Sequence, residues 1–336
     1  MATIKDVARK AGVSVATVSA VINKSKYVSD DLKQRVQQAI EDLGYRPNRV
    51  ARSLKRKESN IIGITVTEIT NPFYPLMLEG VEDNAINEGY NVMLCTTGDD
   101  EEKEYLLLES MIDQGVDGVI LATIDDLNSK ALKLVQKEGI PHVLINRAPE
   151  NYTGSLVCVD SYKVGQIATK HLLQLGHTQI GFIGGNRQNS KSREKGYQAM
   201  LASHNIPVNP SWIIDGEYSM EKTYEKITKL MQTSRTIPTA FFAASDLMAF
   251  GAAKALLDNG YTIPGDISIV GSDNIDFSED FRVPLTTVDV QKYEIGKLGC
   301  ELLLNHITRK EEVSHQKIIL EPSLVLRESS GAVRKK

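Results

Sequence analysis

The chain has 336 residues, 41% of them hydrophobic and 24% charged, with a net charge of −4. That length implies two or more domains. No run approaches the ~20 apolar residues that span a bilayer, and charges break up the first twenty residues, which argues against a signal peptide or a membrane partner and for a cytoplasmic protein.

The small net charge hides an asymmetry. Residues 1–60 hold 13 Lys+Arg against 6 Asp+Glu, a net of +7, and residues 61–336 hold 26 against 37, a net of −11. A basic head on an acidic body fits a phosphate backbone. Within that head Thr3 is a helix N-cap with Asp6 in the first turn. Ile4, Val7, Ala8 and Ala11 follow as one apolar stripe, and Gly12 supplies a tight turn. Ser14 then caps a second helix whose Val18, Val21 and Ile22 face the first. Thr17 and Ser19 add short hydroxyls suited to phosphate oxygens. This is a helix-turn-helix, expected to lay its second helix in the major groove of double-stranded DNA. An unspecialised three-helix bundle would leave the charge unexplained.

A third amphipathic helix carries Leu32, Val36, Ala39, Ile40 and Leu43, capped near Ser29 and ended by Gly44. Pro47 then opens a basic segment. Val50, Ala51 and Leu54 share one face, and Arg49, Arg52, Lys55, Arg56 and Lys57 lie off it. About nine residues are too few for an isolated helix in water, so the segment is expected to fold against DNA. Leu54 is placed to wedge between base steps in the minor groove. The alternative is a plain linker whose leucine packs on the body.

From Ile61 short apolar runs alternate with helical patterns. Strands are predicted at 61–66, 90–95, 118–122, 142–146 and 156–160, with helices near 75–88, 101–114 and 129–138. The pattern then restarts, with strands at 180–185, 212–216, 239–244 and 267–271 and helices near 162–175, 192–204, 219–232 and 246–259. The fold class is α/β: an all-α head plus a body of two doubly wound parallel sheets. Ligands in such sheets bind at the carboxyl ends of strands, here in a cleft between lobes.

Those strand ends deliver polar groups: Asn71 and Phe73, Asn146 and Arg147, Asp160, Arg193, Tyr218, Ser245 and Asp246, Asp273 and Asn274. Carboxylates, an Arg fork and aromatics suit a small polyhydroxylated ligand. Asp246 can equally cap its helix, Asp160 can serve a lobe crossover, and Tyr218 is open to packing or contact. No G-x-x-x-x-G-K-[ST] loop, H-E-x-x-H or G-x-G-x-x-G occurs. The six histidines are scattered, so no enzyme, cofactor or metal site is expected. Cys95, Cys158 and Cys300 are far apart and odd in number, which suits free thiols rather than a disulfide frame.

The motifs TIKDVARKAGVS, ATVS, Y-R-P-N-x-x-A-R-S-L, ITNPFY, GVDGVIL, LLQLGHTQIGFIGG, REKGY, IPTAFFAASDLMAFGA, GYTIPGDISIVGSDN and PLTTV stand in order from residue 3 to residue 288. In sequence and spacing they resemble the lactose-repressor/galactose-repressor (LacI/GalR) family of transcription regulators, over nearly the whole chain. The resemblance implies a helix-turn-helix domain at 1–46, a hinge at 47–58 and an effector-binding, dimerising body at 59–330. That body would be periplasmic-binding-protein-like, with an N-lobe of about 60–160 and 291–321, a C-lobe of about 161–289 and 322–330, and crossings near 160, 290 and 321. It implies base contacts from Val15, Ala16 and Ala20, flanked by Thr3, Ser14, Thr17, Ser19 and Asn23. Asn48, Ala51, Arg52, Leu54 and Lys55 would form the hinge, with Leu54 in the minor groove. Arg193 and Asp273 stand where relatives hold the effector, with Asn71, Phe73, Arg147, Asp160, Tyr218 and Asp246 completing the expected set.

The chain also departs from the family. Ala20 stands where relatives commonly carry Arg, so the expected base contacts are apolar and shape readout gains weight. Ser272 stands where an aromatic often precedes the aspartate, and Val290-Gln291 replaces a common Gln-Pro. The implied function is a homodimeric repressor of a carbohydrate-utilisation operon, bound to a pseudo-palindromic operator and released by a sugar. A purine or protein corepressor is the alternative. A transport component with the same body would carry a signal peptide and no basic head.

Overall fold

The computed structural model of the protein describes residues 2–23, 26–45, 59–309 and 314–334. The hinge residues Asn48, Ala51, Arg52, Leu54 and Lys55 lie outside the described residues. Contacts divide the chain into two units, Met1–Ser59 and Asn60–Lys336.

The first unit holds α1 (Ile4–Ala11), α2 (Val15–Asn23) and α3 (Asp30–Leu43). A reciprocal cap starts α1: the Thr3 N–H donates to the Asp6 carboxylate at 3.0 Å, and the Asp6 N–H donates back to the Thr3 hydroxyl at 3.4 Å. Gly12 ends the helix at φ 65°, in the left-handed region that a side chain resists. Beside it the Arg35 guanidinium donates to the Ala11 carbonyl at 2.7 Å, a cation at the negative end of α1. The Thr17 N–H donates to the Ser14 hydroxyl at 3.1 Å, opening α2 as its sequence implies. Val7, Val18 and Val36 are fully buried, one from each helix, with Ala8, Ala11 and Ala39 around them.

The second unit is built on two six-stranded sheets. The N-lobe sheet runs in the order β11-β5-β4-β3-β1-β2 and the C-lobe sheet β12-β10-β9-β8-β6-β7. β1 (Ile61–Val66), β2 (Asn91–Thr96), β3 (Gly118–Leu121), β4 (His142–Ile145) and β5 (Leu156–Val159) alternate with α4 (Phe73–Asn87), α5 (Glu101–Asp113) and α6 (Lys130–Lys137). After α7 (Ser161–Gln174), β6 (Ile180–Gly184), β7 (Ile213–Asp215), β8 (Ala240–Ala243) and β9 (Ser268–Asp273) alternate with α8 (Gln188–Ser203), α9 (Met220–Thr233) and α10 (Asp246–Asp258). Registers are parallel, Ile62 opposite both Val92 and Gly118, and Phe182 opposite both Ile213 and Phe242. Strands Ile62–Ile64, Phe241–Phe242 and Ile269–Val270 are buried on both faces, hence the continuous apolar runs.

The last quarter of the body had no predicted elements. It comprises α11 (Phe277–Asp280), β10 (Thr286–Asp289), α12 (Lys292–Thr308), β11 (Lys317–Leu320) and β12 (Ser323–Val325). β11 and β12 are short, half-exposed edges with little apolar signal. α12 is buried around much of its circumference through Ile295, Cys300, Leu302, Leu303 and Ile307, so its one-sided stripe is faint. β12 pairs antiparallel to β10, Thr287 opposite Val325, so the second sheet is mostly rather than wholly parallel. Gln291 lies at φ 54°, which a proline ring cannot adopt. The chain therefore turns differently here from a Gln-Pro crossover.

α7 and α8 approach at backbone distance. A Cβ on Gly165 would stand 2.0 Å from the Arg193 carbonyl oxygen, and one on Gly196 2.0 Å from that of Tyr162. Cys95, Cys158 and Cys300 are free; burial pushes the Cys158 thiol to about 11 and Cys300 to about 12, leaving both protonated. Among the described residues no helix is long and apolar enough to cross a membrane.

Candidate functional site: a DNA-reading helix and an interlobe cavity

On α2, Val15 and Ala16 are exposed and Ala20 is half-buried, so the helix offers an apolar tip. The hydroxyl-bearing residues around it also have intramolecular work. Thr3 donates to Asp6 at 2.7 Å, Thr17 shares a hydrogen bond with Ser14 at 2.9 Å, and Asn23 folds back onto the Ser19 carbonyl and hydroxyl at 2.8 and 3.1 Å. These bonds fix the helix ends.

In the body, the strand ends of the two lobes converge on a small, nearly filled cavity. Asn71, Phe73 and Tyr74 follow β1, Asn146 follows β4, Arg187 and Asn189 follow β6, Arg193 stands on α8, Tyr218 follows β7 and Asp273 ends β9. The Asn71 side-chain oxygen accepts from the Phe73 N–H at 3.0 Å and so starts α4. The Tyr218 hydroxyl donates to Asn189 at 2.9 Å, and the Arg187 guanidinium lies 4.1 Å over the Tyr218 ring.

Arg193 and Asp273 form the polar centre. Both are buried, with Arg193 Nη1 3.4 Å from Asp273 Oδ1. Arg193 Nε finds no hydrogen-bond partner among the described residues. A guanidinium donor left dry is costly, and Arg193 is one of the residues that line the cavity. Burial pushes the Asp273 carboxyl up to about 7, against the opposing pull of Arg193 and Lys292.

Three expected residues do not line that cavity: Arg147 and Asp160 border an adjoining pocket that shares Asn146 and Asn189 with it, and Asp246 lies inside the C-lobe. Arg147 turns into the N-lobe, where Nη2 donates to Asp99 at 2.5 Å and to the Thr123 carbonyl at 3.1 Å, and Nη1 lies 3.0 Å from Asp125. Asp160 caps α7 by accepting from the Lys163 N–H at 2.9 Å, and its own N–H donates to the Leu320 carbonyl at 3.1 Å, so it serves the crossover. Asp246 is not the cap either, since Ser245 takes that role. Its carboxylate accepts from the Ile275 N–H (3.0 Å) and from the Ser278 (2.7 Å) and Thr287 (2.6 Å) hydroxyls, inside the C-lobe. All three strand-end residues were placed correctly along the chain, but their side chains were claimed by nearer partners.

The sequence reading passed over Arg187, Asn189, Tyr74 and Asp99. Asp99 joins the lobes, since Arg187 Nε of the C-lobe donates to it at 2.8 Å while Arg147 holds its other oxygen. Burial works against its charge, yet the two guanidinium groups keep its carboxyl below the ordinary range. The Gln188 N–H adds a second interlobe bond to Asp125 at 3.1 Å. The missed signal was available: each of these residues follows a strand's carboxyl end, the rule that found Arg193.

Residues 3–48 match the model described as bacterial regulatory proteins, lacI family, and residues 169–330 match the periplasmic binding protein-like domain. The HTH-type transcriptional repressor PurR of Aliivibrio fischeri (strain MJ11) is 38% identical over 337 residues, covering 98% of this chain and 98% of that protein. Among solved structures, the lac repressor dimer bound to operator and the anti-inducer ONPF superposes with a TM-score of 0.90 at 26% identity, covering 98% of this chain and 99% of that one. A LacI family transcriptional regulator from Enterococcus faecium with bound ribose gives 0.73 at 29% identity, over 82% of this chain and all of that one. With a head that places α2 on a trivaline core and a body that closes two α/β lobes on one polar cavity, the chain belongs to the lacI family of bacterial regulatory proteins and is a sequence-specific DNA-binding transcriptional repressor.

Proposed function

We propose that the repressor is released from its operator by a small polyhydroxylated effector of single-ring size, bound between the lobes. The observation that carries this is the buried Arg193–Asp273 pair among the cavity-lining residues, with Arg193 Nε left unpartnered. A planar donor beside an acceptor suits vicinal hydroxyls. The amides of Asn71, Asn146 and Asn189 add further polar groups, and Phe73 and Tyr218 offer apolar faces. The ribose-bound relative supports a ligand of single-ring size. Because the cavity is walled by both lobes, an effector would shift the equilibrium between lobe arrangements, and with it operator affinity.

A planar purine acting as corepressor is the second reading, favoured by the Arg187 guanidinium lying over the Tyr218 ring beside the cavity. A thermal-shift screen of pentoses, hexoses, disaccharides, sugar phosphates and purines separates the two. A monosaccharide hit that also weakens operator binding supports the proposal, whereas a purine hit that tightens it refutes release by sugar.

We further propose that two heads of a homodimer grip a pseudo-palindromic operator through Val15, Ala16 and Ala20, flanked by Thr3, Ser14, Thr17, Ser19 and Asn23, with Asn48, Ala51, Arg52, Leu54 and Lys55 in the minor groove. Leu54→Ala is expected to weaken operator binding at least tenfold in a mobility-shift assay while effector binding is unchanged; equal affinity removes the wedge. Operator affinity should also fall steeply with salt, at a log–log slope of roughly −0.9 per neutralised phosphate. A flat salt curve contradicts backbone-driven binding.

A further inference from the structure

The turn that presents the cavity's acid is held in a conformation its residues resist. Asp273 at φ 127° and Asn274 at φ 53° are consecutive non-glycine residues in the left-handed region, which persists only where surroundings enforce it. The Asn274 N–H donates to the Thr287 hydroxyl at 3.3 Å, and its side-chain oxygen accepts from Arg327 at 2.9 Å. The strongest restraint comes from Lys292. Its ammonium is buried and donates to the carbonyl oxygens of both Asp273, at 2.5 Å, and Asn274, at 2.8 Å.

Lys292 is an unfavourable place for a cation. It is the first residue of α12, where the helix dipole opposes positive charge. Burial strips its hydration, and the Asp289 carboxylate stands 3.8 Å off, beyond hydrogen-bond reach. A local conflict of this kind, beside a ligand-facing residue, marks a functional position. α12 also belongs to the other lobe, where it packs on α4, while Asp273 ends a strand of the C-lobe. The lysine reaches the turn only because the chain has just crossed between lobes through Gln291.

We infer that Lys292 is a positioning residue for the effector site: its ammonium clamps the Asp273 and Asn274 carbonyls, fixes the strained turn that aims the Asp273 carboxylate at Arg193 and the cavity, and ties that turn to the N-lobe. The role rests on the effector reading of the cavity, but the clamp acts on the backbone and can be tested with no effector present.

The full-length protein is compared as K292M, N274G and K292M/N274G by thermal unfolding. K292M is expected to melt several degrees lower. Glycine takes φ 53° without steric cost, so N274G should recover at least half of that loss in the double variant. Additive losses overturn the clamp. Should K292M fail to fold, a cooperative melt regained in K292M/N274G is the same positive result, and failure of both overturns it. A second readout follows charge. The groups facing Asp273 are Arg193, Lys292, Asp246 and Tyr218. The pH dependence of the melting difference between wild type and D273N reports the Asp273 titration, and in a K292M background its midpoint should rise. An unmoved midpoint refutes positioning. Calorimetry with D-ribose is the third: K292M should bind at least tenfold more weakly, with N274G restoring part of it, and an unchanged affinity counts against the inference. If the wild-type protein does not bind D-ribose, ribose is excluded as the effector, while the melting and titration results still decide the clamp.

Discussion

Arg193→Ala is expected to leave operator binding intact and to remove the response to effector. The guanidinium is buried 3.4 Å from Asp273, with Nη1 also donating to the Ala244 carbonyl and Nε left without a partner. Truncating one member of a buried, hydrogen-bonded charge pair costs about 2–5 kcal/mol in binding, or roughly 30- to 4,000-fold in affinity. The head lies in a separate unit, so its affinity for operator should not change in the absence of effector. Calorimetry and a mobility-shift assay together check both halves, and a wild-type effector response in the variant would remove Arg193 from the site. The pH dependence has a definite sign. Burial raises the Asp273 carboxyl to about 7 against an unfolded value near 3.8. Its neutral form is favoured by folding, so its contribution to stability is fully present below the unfolded value and is lost as pH rises through about 7. Effector binding that uses the carboxylate as acceptor should strengthen over the same rise. Arg193→Ala takes away a cation that favours the charged form, which moves both transitions to higher pH.

Gly165→Ala should destabilise the body and weaken effector binding together. Alanine normally favours a helix over glycine by about 0.5–1 kcal/mol, which alone would predict a gain. Here the new Cβ would lie 2.0 Å from the Arg193 carbonyl oxygen, whereas contact between non-bonded heavy atoms needs roughly 3.5 Å. The obstacle is backbone, so no side-chain rotation relieves it. α8 must retreat from α7 by about 1 Å or more, at a typical overpacking cost of about 1–3 kcal/mol, so the steric effect wins. The displaced segment carries Arg193, which couples packing to binding. A melt several degrees lower, with weaker effector affinity and an unchanged head, is the expected pattern. A higher melting temperature would mean that the two helices part easily.

Much of the fold was legible because the relevant signals are local. Thr3, Gly12, Ser14 and Gly44 punctuate the head helices through caps and turns that depend on neighbours within a few residues. The doubly buried strands announce themselves as apolar runs. The failures have equally physical causes. β11 and β12 are edges of four and three residues, whose place is decided by partners about 160 and 40 residues away, Leu156 for Lys317 and Thr287 for Val325. Arg187 and Asp99 lie 88 positions apart, and neither residue alone foretells their contact. Asp246 and Arg147 were credited to the cleft because each follows a strand. Three hydrogen-bond donors inside the C-lobe take the first, and the Asp99 and Asp125 carboxylates take the second.

The amino-acid order alone determined the modules, a basic helix-turn-helix followed by paired α/β lobes, since caps, period and charge are properties of short stretches. It also determined the end of each sheet at which polar groups gather, because parallel strands deliver them there. Which of those groups meet was decided only in three dimensions. A side chain at a strand end has several partners within reach, and the choice among lobe interior, crossover and cavity depends on backbone approaches such as Gly165 to Arg193 and on a lysine arriving from the opposite lobe.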